Sequence, residues 1–137
     1  MLGGSDAGAH LDRMCGSSYT TRFIGDCIRG RKLATMERAV EMLTKDPAEL
    51  FGLRDRGVLR KGAFADVFVF DPETVGAEHA TLVHDLPGDS PRLTAGSHGV
   101  RRVYVNGTVA VEDSVATGAL GGTVLRSGRD TDTVATR

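Results

Sequence analysis

Tryptophan is absent from this chain, and phenylalanine and tyrosine supply only 5% of its 137 residues. A core with so few large rings has to be thin and built from smaller side chains. Cysteine occurs twice, as Cys15 and Cys27, and not as a CxxC pair. That excludes a disulfide-framed domain and predicts two free, buried or half-buried thiols. No apolar run approaches the about 20 residues of a membrane helix, so no membrane partner is expected. The first residues lack the charged and apolar regions of a signal peptide, and a cytoplasmic location follows as the expectation. Neither sign of charge dominates: 17 basic residues face 18 acidic ones, for a net charge of -1. Without a basic field to hold phosphates, nucleic acid is excluded as an expected partner.

What the chain does have is glycine, 18 of them, and an order of helices followed by strands. Residues 1–18 are small and polar and read as a short strand end followed by a loop. In "YTTRFIGDCIR", Phe23, Ile24, Cys27 and Ile28 share one face, which predicts a helix over 19–29. Thr35 is an N-cap residue for a second helix over 35–45, with Glu37 in its first turn. Asp46-Pro47 ends that helix and starts a short one over 47–51. Strands are expected at 57–60, 65–70, 102–106 and 108–112, with "GTVLR" as one last strand. Asn106-Gly107 between Val103/Val105 and Val109/Val111 is a type I′ hairpin signal. Residues 73–99 read as a long loop with short extended pieces. The expected core is Phe23, Ile24, Val40, Leu43, Phe51, Leu53, Val67, Val69, Val103 and Val105. The run Val67 to Phe70 reads as a strand buried on both faces, so Val69→Asp is expected to unfold the β portion.

The chemistry is concentrated in "GGSDAGAH", Gly3 to His10. Small neighbours leave the Asp6 carboxylate free of competition and open to a ligand. A carboxylate in such a loop suits a metal ligand or general base, with His10 as a second polar group. The same pattern also suits an Asx-turn, in which Asp6 bonds its own backbone. His79, His84 and His98 stand five and fourteen apart in a loop and read as surface or packing residues.

"GGSDAGAH", "PAELFGLRDRGVLRKGAFADVFVFDPETV" and "VRRVYVNGTVAVEDSVATGALGGTVLR" together resemble the amidohydrolase superfamily. "SDAGAH" and "DLPGDSPRL" narrow the resemblance to its D-aminoacylase, or N-acyl-D-amino-acid deacylase, branch. The fold this implies is an α+β fragment: the last strand and helices of a metal-dependent (β/α)8 barrel, followed by the C-terminal part of a small β-sandwich. Residues 1–53 would close the barrel, 54–126 would join the sandwich, and 127–137 would be a disordered tail. Met1–Asp6 would end the last barrel strand, where barrel active sites lie.

The resemblance also implies a function. A Zn²⁺ in the complete enzyme lowers the pKa of a bound water toward about 7. Asp6, as catalytic residue and metal ligand, would take a proton from the water and pass it to the leaving amine of an N-acyl-D-amino acid. His10, Arg13 and Arg92 are candidate contacts for that small-molecule substrate. The HxH and further metal ligands of such enzymes are missing, so Asp6 alone cannot hold zinc and the isolated chain is expected to be inactive. Its uncovered strand edges and helix faces invite self-association into a homo-oligomer. Two other readings remain open: a non-catalytic, self-associating β-rich fragment, and a cyclic amidase or deaminase of the same superfamily.

Overall fold

A computed structural model describes residues 4–134 of the chain. The first helix, α1, runs over Tyr19–Arg22, and the chain then winds more widely through Phe23–Gly30. The Arg31 N–H bonds to the Asp26 carbonyl at 3.0 Å, five residues back, which is the spacing of a π-helix. Gly25 lets this segment press on the sheet side: a Cβ there would stand 2.9 Å from the Val75 carbonyl oxygen. The Arg29 guanidinium donates to that same oxygen at 2.6 Å. The expected helix is present, but with two windings.

Thr35 caps α2 (Met36–Leu43), its hydroxyl accepting from the Arg38 N–H at 3.2 Å. The break before α3 (Lys45–Leu50) falls at Thr44 and not at Asp46-Pro47. The Thr44 hydroxyl donates back to the Val40 carbonyl at 2.7 Å. Pro47 then sits in the first turn of α3, where no backbone donor is required.

Among the described residues eight strands follow: β1 (Val67–Phe70), β2 (Gly76–Ala77), β3 (Thr81–Leu86), β4 (Ser90–Thr94), β5 (Ser97–His98), β6 (Val100–Val105), β7 (Thr108–Glu112) and β8 (Val115–Ala116). An antiparallel sheet has the order β1-β6-β7-β8, while β2-β5 and β3-β4 form two separate pairs. Asn106 and Gly107, at φ 49° and 81°, make the expected tight turn between β6 and β7. The architecture is α+β, with no closed barrel among the described residues.

Several expectations are corrected. Residues 57–60 form no strand. Gly57 takes φ 82° beneath α3, where a Cβ would lie 2.6 Å from the Ala48 Cβ and 2.9 Å from the Thr44 carbonyl, so the chain turns there. "GTVLR" forms no ladder; β8 lies earlier, and Asn106 Nδ2 instead donates to the Gly121 carbonyl at 2.7 Å. Residues 4–6 are not in a strand, and Met1–Gly3 lie outside the described residues. A barrel strand requires flanking strands to pair with, and among the described residues none is paired to residues 4–6. The loop expected over 73–99 contains the β3-β4 hairpin.

The core also differs. Ile24, Val75 and Val100 form its buried centre, with Met36, Leu43, Phe70, Val103 and Val111 packed around them. Val69 is 42% exposed and Phe51 66% exposed, and Val40 is likewise exposed, so none is core. Within the described residues β1 pairs only with β6 and is an edge strand, not one buried on both faces. An open apolar groove of about 530 Å³ runs between α2-α3 and β1, lined by Leu43, Ala48, Phe51, Leu59, Phe68 and others. Part of the segment expected to be a tail returns to this region. Thr131 bridges Leu53, and Arg54 Nε donates to the Asp132 carboxylate at 2.7 Å.

Candidate active-site loop

The loop that carries Asp6 closes on itself. Gly16 lies directly against the Ser5 carbonyl, leaving no room for a Cβ, so the two ends of the loop meet. Inside it, Asp6 and His10 adopt left-handed conformations at φ 54° and 48°. Such positions are uncommon for residues with a side chain, and Asp and His tolerate them better than most. The His10 carbonyl accepts from the N–H groups of Arg13 and Met14 at 2.8 and 2.9 Å, which builds the next turn. The turn at Asp6 is held by its neighbour: the Ser5 hydroxyl accepts from the Ala7 N–H at 3.1 Å. Asp6 therefore does not serve as the Asx-turn acceptor. Its exposed carboxylate has no hydrogen-bond or ionic partner among the described residues, and a Cβ at Gly4 or Gly8 would meet open space.

The other candidates divide into those near the loop and those elsewhere. His10 is exposed on it, as is Arg13, whose Nε bonds the neighbouring Asp12 carboxylate at 3.2 Å. Arg92 comes from β4, and the structure brings it to the loop. The N–H of the next residue, Leu93, donates to the Leu11 carbonyl at 2.7 Å. Arg92 is fixed by Asp85 through two parallel bonds, from Nε at 2.6 Å and from Nη2 at 2.7 Å. This hydrogen bond to Arg92 holds the Asp85 carboxyl below the usual carboxylate range. Cys15 Sγ lies 3.6 Å from the Ser17 hydroxyl, and both cysteines are free and half-buried, as expected.

The histidines stay apart. His84 Nδ1 lies 2.9 Å from the Asp89 carbonyl at the hairpin tip, and the His98 ring covers Gly76 in the β2-β5 pair. Among the described residues no three His, Cys, Asp or Glu side chains converge. Asp85, the partner of the candidate Arg92, is a residue that sequence reasoning missed. Its signal lay in "DLPGDSPR", a carboxylate and a guanidinium seven residues apart across a Pro-Gly-Asp turn.

The sequence profile described as "Amidohydrolase family" matches residues 1–111, which include the loop, the helices, the β3-β4 hairpin and most of the main sheet. The chain belongs to the amidohydrolase family. Within it, the chain falls in the D-aminoacylase branch. The N-acyl-D-glutamate deacylase of Alcaligenes xylosoxydans xylosoxydans is 45% identical over 103 residues, 75% of this chain and 19% of that protein. The D-aminoacylase of the same organism is 38% identical over 124 residues, 89% of this chain and 24% of that protein. The structure of N-acyl-D-glutamate deacylase from Bordetella bronchiseptica, complexed with zinc and a phosphonate mimic of the tetrahedral intermediate, matches 69% of this chain and 18% of that one. The identity is 38% and the TM-score 0.54. The chain thus spans about a fifth of the length of these relatives.

As an amidohydrolase segment, the described residues do not by themselves fit a zinc ion. A catalytic zinc takes about three protein ligands, and Asp6 stands as a single oxygen donor. No helix among the described residues is long and apolar enough to cross a membrane.

Proposed function

We propose that this chain is the C-terminal part of a zinc-dependent amidohydrolase that cleaves the amide bond of N-acyl-D-amino acids. In that reading residues 1–53 complete the barrel, 54–126 contribute to the β-sandwich, and the remaining metal ligands come from the rest of a longer protein. The single observation that carries it is Asp6: an unpartnered, exposed carboxylate in a cleared loop, inside the segment that matches the amidohydrolase family. Its carboxylate oxygen accepts a proton from the attacking water and returns it to the amide nitrogen, which leaves readily only once protonated. His10, Arg13 and Arg92 contact the substrate, their cationic or polar heads suited to its carboxylate. The enzyme is soluble and cytoplasmic in this reading, and the isolated chain is inactive.

The test has two arms. The chain purified without chelator is analysed for zinc and assayed with N-acetyl-D-amino acids; neither stoichiometric metal nor turnover is expected. The chain is then grafted in place of the matched segment of the Alcaligenes N-acyl-D-glutamate deacylase. Turnover is expected to return, and Asp6→Asn in the graft to lower it by about 10²–10⁴-fold. If the Asp6→Asn graft folds, binds zinc and turns over as fast as the unsubstituted graft, the assignment fails.

A further inference from the structure

We propose that the β3-β4 hairpin, Thr81–Thr94, is a recognition arm for a carboxylate-bearing ligand at the Ser5–Gly16 loop, in which Arg92 binds the carboxylate and Asp85 positions its guanidinium. The proposal rests on the reading of that loop as an active-site loop.

The register makes the pair. Arg92 stands across from Val83, and Asp85, two residues beyond Val83, lies on the same face and reaches Arg92 diagonally. The register shift between His84 and Leu86 marks the same stretch as irregular. Asp85 takes one edge of the guanidinium, the Nε and Nη2 side. An arginine has five N–H donors in a planar fork, so a second two-donor edge, Nη1 with the outer Nη2 hydrogen, remains. No partner for Nη1 stands among the described residues. A second carboxylate fits that edge bidentately, with the plane already set.

The arm is placed to use this edge. The Leu93 N–H to Leu11 carbonyl bond ties β4 to the middle of the loop. Among the described residues the hairpin belongs to no larger sheet, and an isolated two-stranded pair is marginal in water. A cross-strand clamp and a tie to the loop are therefore what hold Arg92 in place. Both members of the pair are partly exposed, at 33% and 52% of their side-chain area, so solvent screens their long-range field. Recognition then depends on fork geometry more than on charge, and lysine cannot substitute for Arg92.

The experiment is an NMR titration of the 137-residue chain with N-acetyl-D-glutamate. The probe is expected to shift the Arg92 Nε–H and the Leu11 and Leu93 amides. Asp85→Asn is expected to weaken binding about tenfold and to broaden the Arg92 Nε–H signal, while the signals of the buried centre at Ile24, Val75 and Val100 stay unshifted. Arg92→Lys is expected to lose binding although it keeps the charge, and Asp85→Glu to restore part of it. Binding by Asp85→Asn equal to the parent overturns the proposal, as does a probe that leaves these signals unmoved. Turnover by the graft separates the two readings. An active graft indifferent to Asp85 overturns the arm alone, whereas Asp85-dependent binding in an inactive graft overturns the deacylase reading alone.

Discussion

Ile24→Ala tests where the chain keeps its stability. Ile24 is 1% exposed and packs against Val75 and Val100, the other two members of the buried centre. The substitution removes three carbons, about 2.4 kcal/mol at about 0.8 kcal/mol each. The cavity left behind adds to this, for a total of about 3–4 kcal/mol. Few residues share the load here, so repacking has little to draw on. For a chain of this size that loss lowers the melting temperature by about 10–15 °C. Val69→Asp is the paired control. Val69 is 42% exposed on an edge strand, and in the β1-β6 register it stands across from Arg102. The new carboxylate remains in water opposite a guanidinium, so its cost is about 1 kcal/mol or less. Thermal unfolding followed by circular dichroism measures both. If Val69→Asp melts below Ile24→Ala, the core has been misplaced and β1 is covered after all.

Two further outcomes follow from charge and from the groove. The carboxyls of Asp85, Asp71 and Asp130 are all depressed, by hydrogen bonds from Arg92, from the Glu73 N–H and from Arg129 respectively. A depressed carboxyl stabilises the fold above its unfolded pKa, and that contribution is lost as pH falls through the folded value. The melting temperature is therefore expected to hold between about pH 7 and pH 5 and to fall only below about pH 4; a fall already at about pH 6 would refute the assignment to these carboxylates. Leu59, 80% exposed, and Phe51, 66% exposed, rim the apolar groove, so the apparent mass in light scattering is expected to rise with concentration. Leu59→Lys is expected to suppress the rise without lowering the melting temperature, and a chain that stays monomeric throughout refutes self-association through this face.

Local signals were legible where local chemistry decides the structure. Thr35 caps a helix because its hydroxyl reaches the Arg38 N–H three residues on, and Asn106-Gly107 turns because both residues accept positive φ. Burial was not legible in the same way. "VFVF" reads as a strand covered on both faces, and its hydrophobicity is real, but no second layer among the described residues covers its outer side. Val75 was missed because it lies outside any periodic run, after Asp71-Pro72; Gly25 and Gly99 both press on its backbone, and Ile24 and Val100 pack with it in the buried centre.

The candidate site divides along the same line. Asp6 stands out in the sequence because everything around it is small, a property of neighbours in the chain, and the loop keeps it unpartnered. Arg92 by itself looks like one more loop charge. Its meaning comes from register: a hairpin around Pro-Gly-Asp, with Asp85 on the same face two residues past Val83, and a backbone bond from Leu93 to the loop. The spacing of Asp85 and Arg92 across Pro-Gly-Asp hints at the pair, but the strand register and the bond from Leu93 to the loop are not encoded by any periodicity. The Asp85-Arg92 pair also explains why a hairpin of two short strands can hold a defined place at all. Removing either partner should therefore loosen the arm before it disturbs the helices or the main sheet, since neither residue contributes to the buried centre at Ile24, Val75 and Val100.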